Sequence, residues 1–165
     1  MSSTEAIKFL RSIMEKLYSK ASKLGVSLEV YVLELVLREF DPSGHVRIYA
    51  DAARDLLRQA REELEKGNFR QAAEKVWGAA ALAVKAYAEW REGRRLSSHG
   101  ELWEYKRIME REVGEWADDS WNAAESMHTC FYEGWCNRED VEKSLKKIEQ
   151  LVEAVINRVD PLPHI

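Results

Sequence analysis

Residues Tyr49 to Tyr87 read YADAARDLLRQAREELEKGNFRQAAEKVWGAAALAVKAY. Ile48, Ala52, Leu56, Ala60 and Leu64 recur at four-residue steps, the period of one helical face. Lys66-Gly67-Asn68 interrupts the pattern, and a second helix follows from Phe69 to about Arg91. That helix holds Ala72, Ala73, Gly78, Ala79, Ala80, Ala81, Ala83, Ala86 and Ala88. Small residues on several faces let neighbouring backbones approach closely, so it is expected to be the central helix of a bundle. The reading outward from this hairpin is all-α, an antiparallel bundle joined by short turns with an extra N-terminal helical pair.

Upstream, Ala6, Leu10, Ile13, Met14, Leu17, Ala21 and Leu24 predict a helix from about Ser3 to Leu24, stopped by Gly25. Ser27 then caps a helix over Leu28 to Phe40. Nine of its thirteen positions are Leu, Val, Tyr or Phe, and the polar stripe is Ser27, Tyr31, Glu34 and Arg38. A helix so apolar wants burial on more than one side, and a homodimer contact is expected there. Asp41-Pro42 is a helix-start signature, although Gly44 moves the expected start toward His45. Downstream, Ser98 and Glu101 have capping-box spacing. Leu102–Glu112 is helical, Gly114 marks a break, and Glu115 to Trp135 forms a further helix. The last begins at Asn137 and runs through Val141, Leu145, Ile148, Leu151, Val152 and Val155 to Val159. The chain is read as one domain, residues 1–165: an N-terminal pair (1–40), a core bundle (41–160) and a tail (161–165).

The formal net charge of −4 argues against a duplex-DNA binder. Cys130 and Cys136 lack CxxC spacing and read as reduced thiols of an intracellular protein. No secretory or membrane-spanning segment is predicted, so a cytoplasmic location is expected. The abundance of Glu, Arg and Lys suits a thermophile.

The run A-x-x-L-L-x-x-A-x-E-x-L-x-x-G-N-F-x-Q-A-A-E-K-x-W-G-A-A-A-x-A-V-K-A, from Ala53 to Ala86, resembles the archaeal PaREP-one family. SSHGELWEY (Ser97 to Tyr105), MHTCFYEGW (Met127 to Trp135) and the lead-in SLEVYVLELVLREFDP carry the same resemblance. It implies a branch of the HEPN-like helical superfamily, whose members often form homodimers and bind nucleotides or cleave RNA.

Active nucleases of that superfamily separate an arginine from a following histidine by four to six residues; the histidine works as general acid–base while the arginine stabilises phosphate charge. Arg38…His45, Arg94…His99 and Arg158…His164 satisfy the spacing, but the first straddles Asp41-Pro42 and the last lies in the Pro-rich tail. The helix expected to carry the motif holds His128, preceded at the permitted spacings by Trp121, Asn122 and Ala123. The missing arginine argues against an enzyme. His128 stands on an aromatic stripe with Trp121, Phe131 and Trp135. It is read either as a satisfied core histidine or as the polar base of a pocket, with Tyr132 and Asn122 as companions.

Lys85 is out of place in an alanine-rich helix. Either it pairs with a carboxylate of another helix or, beside Trp77, it holds a ligand's anionic group. His99 opens a helix near Arg94 and Arg95, a phosphate-site candidate or a capping loop with solvated charges. Glu125-x-x-His128 is a single pair where di-iron bundles need two, and neither metal nor cofactor is expected. The expected function is a non-catalytic dimeric binding module for a nucleotide, RNA or a protein partner. The alternatives are a metal-independent ribonuclease of a toxin or defence system, and a helical partner of a nucleotidyltransferase.

Overall fold

The computed structural model describes residues 6–159, and every regular element among them is helical. The frame is the hairpin of α3 (His45–Glu65) and α4 (Phe69–Glu92). α3 buries one stripe, including Tyr49, Ala53, Leu56, Ala60 and Leu64. α4 is enclosed by its neighbours: every residue from Ala72 to Ala88 except Lys75 is buried. Its small residues make that enclosure possible. At Gly78 an added Cβ would sit 2.8 Å from Leu56 Cδ1, so alanine there would require that leucine of α3 to shift.

α5 (His99–Val113), α6 (Trp116–Glu133) and α7 (Arg138–Val159) complete the bundle around α4. The capping box at the start of α5 is present, with Ser98 Oγ accepting from the Glu101 N–H at 3.2 Å. α6 ends two residues short of Trp135, because Gly134 adopts the left-handed conformation and turns the chain. That turn brings Cys136 back to Cys130, Cα–Cα 5.6 Å, and the two form a disulfide. The expectation of two reduced thiols is therefore corrected; spacing alone did not show that the chain doubles back.

Two expectations for the N-terminal pair are also corrected. α1 covers Arg11–Leu24, and residues 6–10 are not helical; the expected start at Ser3 lies outside the described residues. Ile7, Phe9 and Leu10 are exposed, and a turn that buries nothing gains little from packing. α2 covers Leu28–Leu37 and stops short of Phe40. The His45 ring N–H explains the stop, donating to the Leu37 and Phe40 carbonyls at 3.0 and 3.2 Å. His45 is thus an anchor for the end of α2.

α2 turns Ser27, Val30, Glu34 and Leu37 toward the bundle, while Arg38 of its polar stripe stays exposed. Glu34 Oε1 accepts from Lys85 Nζ at 2.8 Å and from Tyr49 O–H at 2.7 Å, while Oε2 accepts from Arg95 at 2.8 Å. The buried ammonium of α4 selects which face of α2 turns toward the bundle. Much of the apolar surface is left outside. Val36 and Phe40 are exposed, and a cavity of about 740 Å³ is lined by Ile7, Phe9, Met14, Leu28, Val32 and Val36, among others.

Candidate functional site

Trp77 of α4 is fully buried, and three rings from α5 and α6 gather around its own. The His128 ring of α6 is tilted by 30° to it at 4.8 Å between centroids, and His99 of α5 at 5.5 Å and Trp121 at 5.2 Å meet it edge to face. The two imidazoles are 5.8 Å apart. Each has a glutamate beside it. His99 Nε2 lies 2.5 Å from Glu125 Oε1 and also 3.1 Å from Trp103 Nε1. One ring nitrogen cannot donate to Glu125 and accept from Trp103 simultaneously, so its protonation state decides which partner it serves. His128 Nδ1 faces Glu74 Oε2 at 3.9 Å, beyond hydrogen-bond range. Both atoms are buried without a hydrogen-bond partner among the described residues. Burial and the Glu74 charge raise the Tyr132 phenol against an opposing bond from Ser22, and its ring lies 5.2 Å from His128.

The α1–α2 turn covers this group. Gly25 has φ +68°, and a Cβ there would sit 3.0 Å from His99 Cβ, so close approach and backbone both call for glycine. Two cavities open on either side of the turn, with Val26 lining both. The larger, about 430 Å³, reaches Glu74 and Tyr132. The smaller, about 180 Å³, contains Lys85, Arg95, Arg38 and Glu34 over Leu24, Val26 and Val30.

Lys85 is 1% exposed and tied to Glu34 and to the Leu96 carbonyl, the latter at 2.5 Å. Burial lowers its pKa despite the Glu34 charge beside it. Burial alone would raise Glu34, but the Lys85 charge and the bonds from Lys85, Tyr49 and Arg95 outweigh it and hold that carboxyl below the ordinary glutamate value. Ser97 and Ser98 N–H groups donate to Glu101 Oε2 at 2.6 and 3.1 Å, so the helix start beside His99 is filled by its own carboxylate.

The structure brings together His99, His128, Trp77 and Tyr132, and groups Lys85 with Arg95. Asn122 stands outside both: it is exposed and donates to Asp118 at 3.1 Å. Arg94 lies 5.7 Å over the Tyr105 ring and 4.0 Å from Glu104. The sequence reading missed Glu34, Glu74, Glu125 and Trp103 as partners. For Glu34 a signal existed: a buried lysine requires a carboxylate, and the polar stripe of α2 offers one.

Residues 48–152 match the model of the archaeal PaREP1/PaREP8 family. The chain belongs to that family. The match runs from α3 into α7, including both histidines, while α1 and α2 lie outside it. No curated protein matches the chain. A crystal structure of a protein from Sulfolobus solfataricus is similar, with a TM-score of 0.55 and 24% identity over 66% of this chain and 97% of that one. That likeness shows a shared fold. Among the described residues, no helix of this PaREP1/PaREP8 protein is long and apolar enough to cross a membrane.

Proposed function

We propose that this PaREP1/PaREP8 protein is a non-catalytic homodimeric binding module that takes a phosphate-bearing ligand, a nucleotide or an RNA end, in the Arg38–Lys85–Arg95 cavity. One observation carries the reading: three cations line that cavity against the single carboxylate of Glu34. Glu34 engages both Lys85 and Arg95, so the cavity keeps a net positive charge and the forked donors of Arg38 are left for phosphate oxygens. Calorimetry with adenosine 5′-monophosphate tests it. Saturable binding is expected, absent with adenosine and weakened about tenfold or more in Arg38→Ala, the loss of a charge-assisted bond. Arg38 is exposed and outside the Glu34 network, so the variant should fold. Equal affinity for adenosine, or no saturable heat, would sink the idea.

Homodimer formation rests on the outward apolar face of α1 and α2. Exposed apolar surface of this extent commonly marks an interface, and a second copy supplies a self-complementary partner. Light scattering should give a dimer mass for the native chain and a monomer for Val36→Glu; a native monomer contradicts the proposal. The HEPN-like relationship and the single-domain reading are supported by the α3–α7 bundle and by the contacts of α2 with α4. A cytoplasmic location belongs to the same proposal. The Cys130–Cys136 bond removes the thiol argument for it, although intracellular proteins of hyperthermophilic archaea do carry disulfides.

The facing histidines favour the alternative, a metal-independent ribonuclease in which one ring accepts a proton and the other donates one. Their charged neighbours weigh against it. Glu125 and Glu74 repel a phosphate, and the arginines nearest His99 in sequence are engaged elsewhere, Arg94 at Glu104 and Arg95 at Glu34.

A further inference from the structure

The larger cavity beside the α1–α2 turn has the opposite chemistry to the basic one. Three carboxylates line it, Glu15, Glu29 and Glu74, with the rings of Tyr18, Phe131 and Tyr132, and no lysine or arginine is among its lining residues. Two of those carboxylates are already balanced: Glu29 pairs with Lys75, and Glu15 lies 3.5 Å from Arg11. Glu74 is different. Its residue is 8% exposed, its Oε2 has no hydrogen-bond partner among the described residues, and its ionisable neighbours on α6 are His128 Nδ1 at 3.9 Å and the Tyr132 phenol. A buried carboxylate left in that condition is costly unless something positive reaches it. Glu74 is among the lining residues of the cavity, and the aromatic walls supply the faces on which a cation is attracted. A phosphate would meet three carboxylates there, so the ligand of this cavity differs from that of the basic one.

We propose that this cavity is a binding site for an organic cation, a primary ammonium or guanidinium group on an aliphatic chain, with Glu74 as counter-ion and Tyr18, Phe131 and Tyr132 as walls. Such a group comes either as a free amine or as a lysine or arginine side chain of another protein. At about 430 Å³ the cavity accommodates a butyl or pentyl chain behind the charged head.

Calorimetry on the full chain tests this with agmatine, cadaverine and a blocked arginine-containing tripeptide, with 1-pentanol as the neutral control. Saturable binding of at least one cation, and none of pentanol, is expected. Glu74→Gln should weaken it about tenfold to a hundredfold, the loss of one charge-assisted hydrogen bond. Tyr132→Leu should weaken it by up to about tenfold through the lost ring. Gln71→Lys places a positive charge at the lining from an exposed helix position, so it should abolish binding while leaving the fold intact. Binding of the free amines assigns a small-molecule ligand; binding of the tripeptide alone assigns a partner's side chain. No saturable binding of any cation, or binding indifferent to both Gln71→Lys and Glu74→Gln, overturns the proposal. Neither residue lines the basic cavity, so these outcomes are independent of phosphate binding.

Discussion

Glu34→Ala is expected to lower the stability of the fold by about 3 to 5 kcal/mol, the cost of leaving one member of a buried pair without its partner. The stranded group is Lys85, 1% exposed, which would keep only the Leu96 carbonyl. Tyr49, fully buried, loses its acceptor at the same time. For a chain of this size the melting temperature should fall by roughly 10 °C or more. The double variant Glu34→Leu, Lys85→Met removes both charges and should recover most of the loss; a double variant as unstable as Glu34→Ala would contradict the assignment. Acid has a related effect. The folded-state pKa of Glu34 is held below the ordinary 4.5, so its contribution is complete above that value and disappears as pH falls through the depressed one. Native chain and double variant should therefore differ in acid sensitivity, with the native chain losing more stability on acidification.

Trp77→Ala should cost about 3 to 5 kcal/mol, the range for emptying a large buried aromatic site. Its indole is fully buried against His99 of α5 and against His128 and Trp121 of α6, two helices that pack on α4 and on each other. Collapse into the space would disturb the 5.8 Å separation of the imidazoles. Trp77→Phe keeps a ring and should cost about half as much. Chemical denaturation of the three proteins measures the series. Equal stability of native and Trp77→Ala would show that this ring does not hold the helices together.

Much of this fold was legible because the decisive signals are local. The period of α3, the break at Lys66-Gly67-Asn68 and the alanine run of α4 gave the hairpin; Ser98 and Glu101 gave the start of α5. What escaped were pairings between residues far apart in the chain. Glu34 and Lys85 are 51 positions apart, and His99 and Glu125 are 26 apart, so no spacing rule joins them. The orientation of α2 was hidden for the same reason. Glu34 of its polar stripe turns toward a buried lysine, which a helix viewed alone does not reveal. His128 was found as an anomaly on an aromatic face, but its neighbour Glu74 required the fold.

The most direct test of a binding module is to incubate a 5′-phosphorylated oligoribonucleotide with the protein in a chelator, then read retention and chain length from the same sample. The account predicts a saturable complex, weakened by Arg38→Ala, from which the oligonucleotide is recovered intact. Shortened products that disappear in His128→Ala would contradict it and establish the ribonuclease instead.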